Sequence, residues 1–126
     1  MILVGIDIGK NKHTFSIIDK GTGEILSSPA VFDNNQTGFL YLIKKLSNYA
    51  KAELLIGMED TGHYHFALLK YLLDNRYTVA LINPTTTDLT RKIQGGITKN
   101  DTLDSITICD VISSNHRKKP YRITKV

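Results

Sequence analysis

The sequence predicts an α/β domain: a mixed five-stranded sheet, first three strands antiparallel, with helices on both faces. Three observations carry that prediction. Three strand-like stretches follow one another near the N-terminus with only turn-forming residues between them. Two helix-patterned segments then alternate with short apolar runs, which is the signature of βα units. The apolar run Leu54 to Glu59 is nearly continuous, as in a parallel strand buried on both faces.

The first strand runs from Ile2 to Ile8 and the second from His13 to Asp19, joined by Gly9-Lys10-Asn11-Lys12. A third follows Gly21-Thr22-Gly23 and covers Glu24 to Phe32, completing a meander. Thr37 is positioned to cap a helix in which Phe39, Leu42, Ile43, Leu46 and Tyr49 recur at spacings of three and four. After the strand ending in Glu59, Asp60 or Thr61 caps a second helix whose core face holds Phe66, Leu69, Leu72 and Leu73. Asn75 ends that helix, and a strand from Tyr77 to Ile82 stops at Asn83-Pro84. Residues 85–94 are weakly helical, Gly95-Gly96 breaks them, and a last helix spans about Asp101 to Ser114. Right-handed crossovers put the strand carrying Glu59 beside the first strand, so Asp7 and Glu59 become neighbours. The domain is expected over residues 1–114, with 115–126 as a basic tail or the start of a linker.

At 126 residues the chain holds one domain of ordinary size. No apolar run approaches the roughly 20 residues of a membrane span. The apolar start carries Asp7 and lacks a basic leader, so it reads as a strand rather than a signal peptide, and a cytoplasmic location is expected. A single cysteine, Cys109, excludes an internal disulfide, and its apolar flanks mark it as a small buried hydrophobe. The formal charge of +4 is concentrated: five of the 16 basic residues lie in the last ten positions, leaving 11 basic against 12 acidic elsewhere. The body is therefore close to neutral.

Four carboxylates stand out by context. Asp7 lies inside a strand flanked by Ile6 and Ile8, and alternation turns it away from the face of Val4, Ile6 and Ile8. Glu59 closes its own apolar strand. Asp101 and Asp104, three residues apart, project about 60° apart around a helix axis and can address one ligand. Carboxylates in strands are costly to desolvate, and several that converge hold a divalent cation. All-oxygen ligands favour Mg²⁺ or Mn²⁺ over zinc, and paired ions of that kind serve phosphoryl displacement.

These segments, Gly5-Ile6-Asp7-Ile8-Gly9-Lys10, Glu59-Asp60-Thr61-Gly62, Asn83-Pro84 and Lys99-Asn100-Asp101-Thr102-Leu103-Asp104-Ser105, together resemble the N-terminal domain of DEDD transposases of bacterial insertion sequences, relatives of the Piv DNA invertases. The resemblance spans nearly the whole chain. It implies a ribonuclease-H-like, RuvC-like fold and a catalytic role in DNA strand cleavage and transfer. It also implies that Asp7, Glu59, Asp101 and Asp104 are both the catalytic acids and the Mg²⁺ ligands. The sequence departs from the family pattern at Asp60, often a small residue there, and at Asn100 and Ser105, often Thr and Ala. Family members are longer, with a coiled-coil insertion and a second domain supplying a serine nucleophile. They act on DNA as homo-oligomers guided by a structured RNA, away from membranes, so this domain alone is expected to be an incomplete recombinase.

Lys10, Lys12, Arg91, Lys92 and Lys99 fall in loops near the expected carboxyl edge, where they could touch a nucleic-acid backbone; ordinary solubility explains them equally well. His63 and His65 read as first-turn helix residues with surface positions, and the tyrosines as core or rim packing. Three other functions compete. A stand-alone RuvC-like Holliday-junction resolvase or RNA-processing nuclease has about this length. A non-catalytic nucleic-acid-binding module would use the basic tail. The Asp7-Ile8-Gly9 turn also resembles the first phosphate loop of sugar-kinase and actin-like ATPases, but a Gly-rich adenosine motif in a second lobe is missing from this sequence.

Overall fold

Strand β1 (Ile2–Asp7) shows why the chain layers as it does. Its even positions Ile2, Val4 and Ile6 enter one core cluster, whereas Leu3 enters a second on the opposite face. The structure is a computed structural model that describes residues 1–83, 104–113 and 121–124. Antiparallel β2 (Lys12–Asp19) and β3 (Ile25–Asp33) build outward from β1 on one side. Parallel β4 (Leu54–Glu59) and β5 (Val79–Ile82) build outward on the other. The meander and the adjacency of the Glu59 strand to β1 match the expectation.

Two helices cover the larger core. Helix α1 (Gln36–Leu46) buries Phe39, Leu42 and Leu46, and α2 (Phe66–Asp74) buries Leu68 and Leu72. They seal Ile6, Phe15, Ile56, Met58 and Val79 from water. The cap of α1 is Asn35, whose Oδ1 accepts from Gly38 N at 2.9 Å, and not Thr37. An Asn two residues earlier reaches the orphan first-turn amide equally well, so composition alone could not separate the two. Helix α2 starts later than expected because residues 60–65 form a turn, with His65 at the cap and no side-chain cap bond. That shift turns Phe66 outward, 57% exposed, and brings Leu68 into the core instead. Arg76 adopts φ 69°, and Arg76 N and Tyr77 N donate back to Leu73 O and Leu72 O at 3.0 Å each. This terminal wrap spends Tyr77 on closing α2, so β5 begins at Val79.

The opposite face carries α3 (Ser105–Ser113), which packs Ile108, Cys109, Val111 and Ile112 on Leu3, Leu55, Ala80 and Ile82. Its seat is made by two glycines paired across β1 and β4, Gly5 and Gly57. A methyl group on Gly5 would run into the Ser105 carbonyl and lie 2.9 Å from Cys109 Sγ; one on Gly57 would lie 2.7 Å from Ile112 Cγ2. The helix is therefore closer to the sheet than any side chain would allow.

The sheet has six strands among the described residues, not five. Tyr121–Thr124 forms β6, antiparallel to β5, giving the order β3-β2-β1-β4-β5-β6. Four residues beside a basic, proline-containing stretch carry too little period-two signal to stand out, yet they cover an edge that β5 would otherwise expose. The expected weak helix at 85–94 lies outside the described residues. Among those described, no helix is long and apolar enough to cross a membrane.

Gly5→Ala should cost about 1–3 kcal/mol of folding stability through overpacking against a helix backbone that cannot rotate away. Equilibrium urea unfolding measures this, and an unchanged midpoint would show that α3 is not seated on the glycine pair.

Candidate functional site

The carboxyl ends of β1 and β4 set the site. Ile6 pairs with Met58, so Asp7 and Glu59, the next residues on each strand, end two adjacent parallel strands at the same height. Alternation places them on the face of Leu3, Gly5, Leu55 and Gly57, which is the α3 face, and both are half-buried. The register also sets Asp7 opposite Thr14 and Glu59 opposite Ile82.

Helix α3 runs antiparallel to β1. Ser105 sits on Gly5 and its Oγ lies 2.6 Å from Ser16 Oγ, whereas Ser113 lines a cavity with Leu3, Asp19 and Lys20 at the far end of the strands. The N-terminus of α3, and Asp104 just before it, therefore comes to the edge where Asp7 and Glu59 stand. Asp104 is exposed and caps the helix, its Oδ1 accepting from Thr107 N at 2.7 Å. The positive end of the helix dipole faces a carboxylate-bearing edge, an arrangement that favours negative charge there. Asp101 lies outside the described residues. Among the described residues, no three His, Cys, Asp or Glu side chains come together as a metal-holding group.

Two loops frame this edge. The β1–β2 turn exposes Lys10 and Lys12; Arg91, Lys92 and Lys99 lie outside the described residues. The 60–65 turn after Glu59 is organised from within by His65, which is 1% exposed and not a surface residue as the sequence implied. Its Nδ1 is 3.1 Å from Thr61 Oγ1 and its Nε2 is 3.5 Å from Asp60 Oδ1, while Gly62 N donates to the same Asp60 oxygen at 3.0 Å. Asp60 thus serves the turn. Tyr64 and Phe66 are exposed beside it. His13 is likewise fully buried in β2, its Nδ1 accepting from Gly9 N at 3.1 Å. His13 alternates with Phe15 and Ile17 along β2, which is a signal for its burial; His65, outside any strand or helix period, carries none.

Burial pushes the pKa of both imidazoles down, opposed at His13 by the Asn34 side chain and at His65 by the Asp60 charge. Burial pushes the Cys109 thiol up to about 12; a bond from the Gly5 backbone works against that shift, and the charges of Asp110 and Asp104 add to it. Cys109 is thus the inert packing residue its apolar flanks implied.

Residues 4–125 match the family model of DEDD transposases of the IS110 type, described as transposase. Pilin gene-inverting proteins of Moraxella lacunata and Moraxella bovis are each 30% identical over 105 residues, covering 82% of this chain and 31% of theirs. The chain thus spans about a third of the length of these relatives. Among solved structures, Thermus thermophilus RuvC aligns over 98% of this chain and 100% of its own, with TM-score 0.65 at 12% identity. RuvC from T. thermophilus in complex with a Holliday junction substrate aligns over 86% and 88%, with TM-score 0.55 at 11% identity. The fold is RuvC-like, that is, ribonuclease-H-like.

Two outcomes follow from the buried groups. The imidazoles of His13 and His65 have folded pKa values below the 6.5 of the free side chain, so below that pH the unfolded chain binds more protons than the folded one. Stability should therefore fall as pH drops from 7 toward 5.5, measured by thermal melts across that range; a flat profile would contradict the shifts. Cys109 should resist iodoacetamide at pH 8 in the folded chain and react at the rate of a free thiol in urea, followed by mass spectrometry.

Proposed function

Since this chain belongs to the DEDD transposase family, we propose that it is the catalytic-acid domain of a transposase or site-specific recombinase that cleaves and transfers DNA strands in a metal-dependent way. The observation that supports this most directly is the arrival of Asp7, Glu59 and the N-terminus of α3, with Asp104, at one edge and one face of the sheet.

Asp7, Glu59 and Asp104, with Asp101, are the residues we assign to hold Mg²⁺ or Mn²⁺. The donor set fits such an ion: these are hard carboxylate oxygens, with no thiolate at the edge. When bound, the cation supplies Lewis-acid stabilisation of a phosphoryl group and activation of an oxygen nucleophile. The chain's own part is geometric. Parallel pairing fixes Asp7 and Glu59 at one height, and the glycine seat fixes the α3 N-terminus beside them. Asp104 Oδ1 accepts from Thr107 N, and its other oxygen is the one we assign to the ion. Lys10 and Lys12 flank the edge from exposed positions suited to backbone phosphates of DNA. Because the chain covers about a third of the pilin gene-inverting proteins, full recombination, oligomerisation and any RNA guide belong in this reading to a longer protein.

A second reading is favoured by the full-length alignment with RuvC: a self-sufficient nuclease for four-way junctions. Junction cleavage separates the two. Under the transposase reading the 126-residue chain is silent or weak on a four-way junction with Mg²⁺, and efficient cutting by it alone would favour the resolvase.

Millimolar Mn²⁺ should raise the melting temperature of the chain, because an ion bound only by the folded state stabilises it by mass action. Asp7→Asn should abolish that rise, since it removes a ligand charge and keeps the shape. A melt unmoved by Mn²⁺, or an Asp7→Asn chain that responds like the wild type, would remove Asp7 from the metal site.

A further inference from the structure

The turn after Asp7 and the loop after Glu59 meet at one side chain. Asn34, just past β3, donates through Nδ2 to Lys10 O at 3.0 Å and to Tyr64 O at 3.5 Å. Its backbone N–H donates to Asn11 O at 2.8 Å, so its main chain is itself anchored to the β1–β2 turn. Lys10 follows Asp7 by three residues and Tyr64 follows Glu59 by five. Beneath them lies His13, fully buried and edge-on to the Phe32 ring. Because its Nδ1 accepts from Gly9 N, the neutral ring carries its proton on Nε2.

Two buried side-chain polar atoms lack a hydrogen bond among the described residues: Nε2 of His13 and Oδ1 of Asn34. One is a donor and the other an acceptor. The Asn34 side chain lies near enough to the ring to favour its protonated form, as an amide oxygen facing Nε2 does. Buried orphans are costly, and a donor and an acceptor left over side by side are complementary to each other.

We propose that Asn34 and His13 are a positioning pair that latches the turn after Asp7 to the loop after Glu59 and so holds the two carboxylates in one register. The latch runs from Gly9 N–H to His13 Nδ1, from His13 Nε2–H to Asn34 Oδ1, and from Asn34 Nδ2 to the carbonyls of Lys10 and Tyr64. Both carboxylates are the last residues of their strands, with backbones paired to Thr14 and Ile82, and the loops that follow them bear on how the two side chains are presented. The pair acts through those loops, not on a substrate. The role rests on the assignment of Asp7 and Glu59 as metal ligands, whereas the latch itself does not.

The test uses the ¹⁵N-labelled 126-residue chain with Mn²⁺ as probe, comparing wild type, Asn34→Ala, the near-isosteric Asn34→Leu, and Asn75→Ala. Asn75→Ala is the control, because Asn75 Nδ2 donates to Tyr71 O at 2.8 Å at the far end of α2. Expected are imidazole ¹⁵N signals for His13 as the Nε2–H tautomer, a shifted Nε2 signal and faster Gly9 amide exchange in both Asn34 variants, and Mn²⁺ affinity lowered about tenfold or more. Asn75→Ala should lower the melting temperature without changing Mn²⁺ affinity. A His13 Nδ1–H tautomer, or ring signals and Gly9 exchange unmoved by Asn34→Leu, overturns the latch. Altered ring signals with unchanged Mn²⁺ affinity overturn the positioning role and leave a purely structural contact. A wild-type chain that binds no Mn²⁺ overturns the metal assignment and the positioning role together, while the ring signals still decide whether the latch exists. Should Asn34→Ala fail to fold, Asn34→Leu carries the same comparison.

Discussion

Close contact between α3 and the paired glycines Gly5 and Gly57 is the constraint on which the rest of the site depends. A side chain at either position would lift the helix away from the sheet. With both absent, the Ser105 carbonyl and Cys109 settle against β1 while Ile108 and Ile112 settle against β4, and the helix axis is fixed in height and direction. Asp104 immediately precedes that anchored turn. Its location follows from packing some two residues below Asp7 along the strand. The Ser16–Ser105 hydroxyl contact, buried beside the glycine seat, pins the same turn against sliding along the sheet.

This division of labour lets a small domain bring carboxylates to one edge of its sheet. Along β1, β4 and β5 the residues are apolar or glycine up to Ile6, Met58 and Ile82, and Asp7, Glu59 and Asn83 follow them. Asp7 and Glu59 are half-buried at the rim, where water still reaches them, and the α3 N-terminus contributes favourable potential. The loops beyond the strands are organised by buried polar groups. His65 gathers Thr61 and Asp60, and His13 receives the Gly9 amide. Polar groups placed under a loop act as directional anchors that apolar packing cannot supply.

Several features were readable from residue pattern because their cause is local. Alternation in Ile2–Asp7 separates two faces whatever the partner. The near-continuous apolar run Leu54–Glu59 declares a strand covered on both sides, and the structure ends that strand at the same residue. Cys109 among isoleucines and valine reads as packing and is packing. The misplacements have equally specific causes. Asn35 and Thr37 compete as caps with similar chemistry, and the turn built around His65 displaces the start of α2 and turns Phe66 outward. β6 is four residues whose pairing with β5 exists only once the edge of β5 is present.

What the sequence by itself determined was the order of strands and helices, the two-faced pattern of the core, and the carboxylates that interrupt it, because each is set by spacing along the chain. Only the tertiary structure decided that His65 is buried, that Asn34 bridges two loops, that a sixth strand closes the sheet, and that α3 lies antiparallel to β1 on a glycine seat. Those outcomes arise from contacts between residues tens of positions apart. Such contacts depend on shape and on hydrogen-bond partners that no local period encodes.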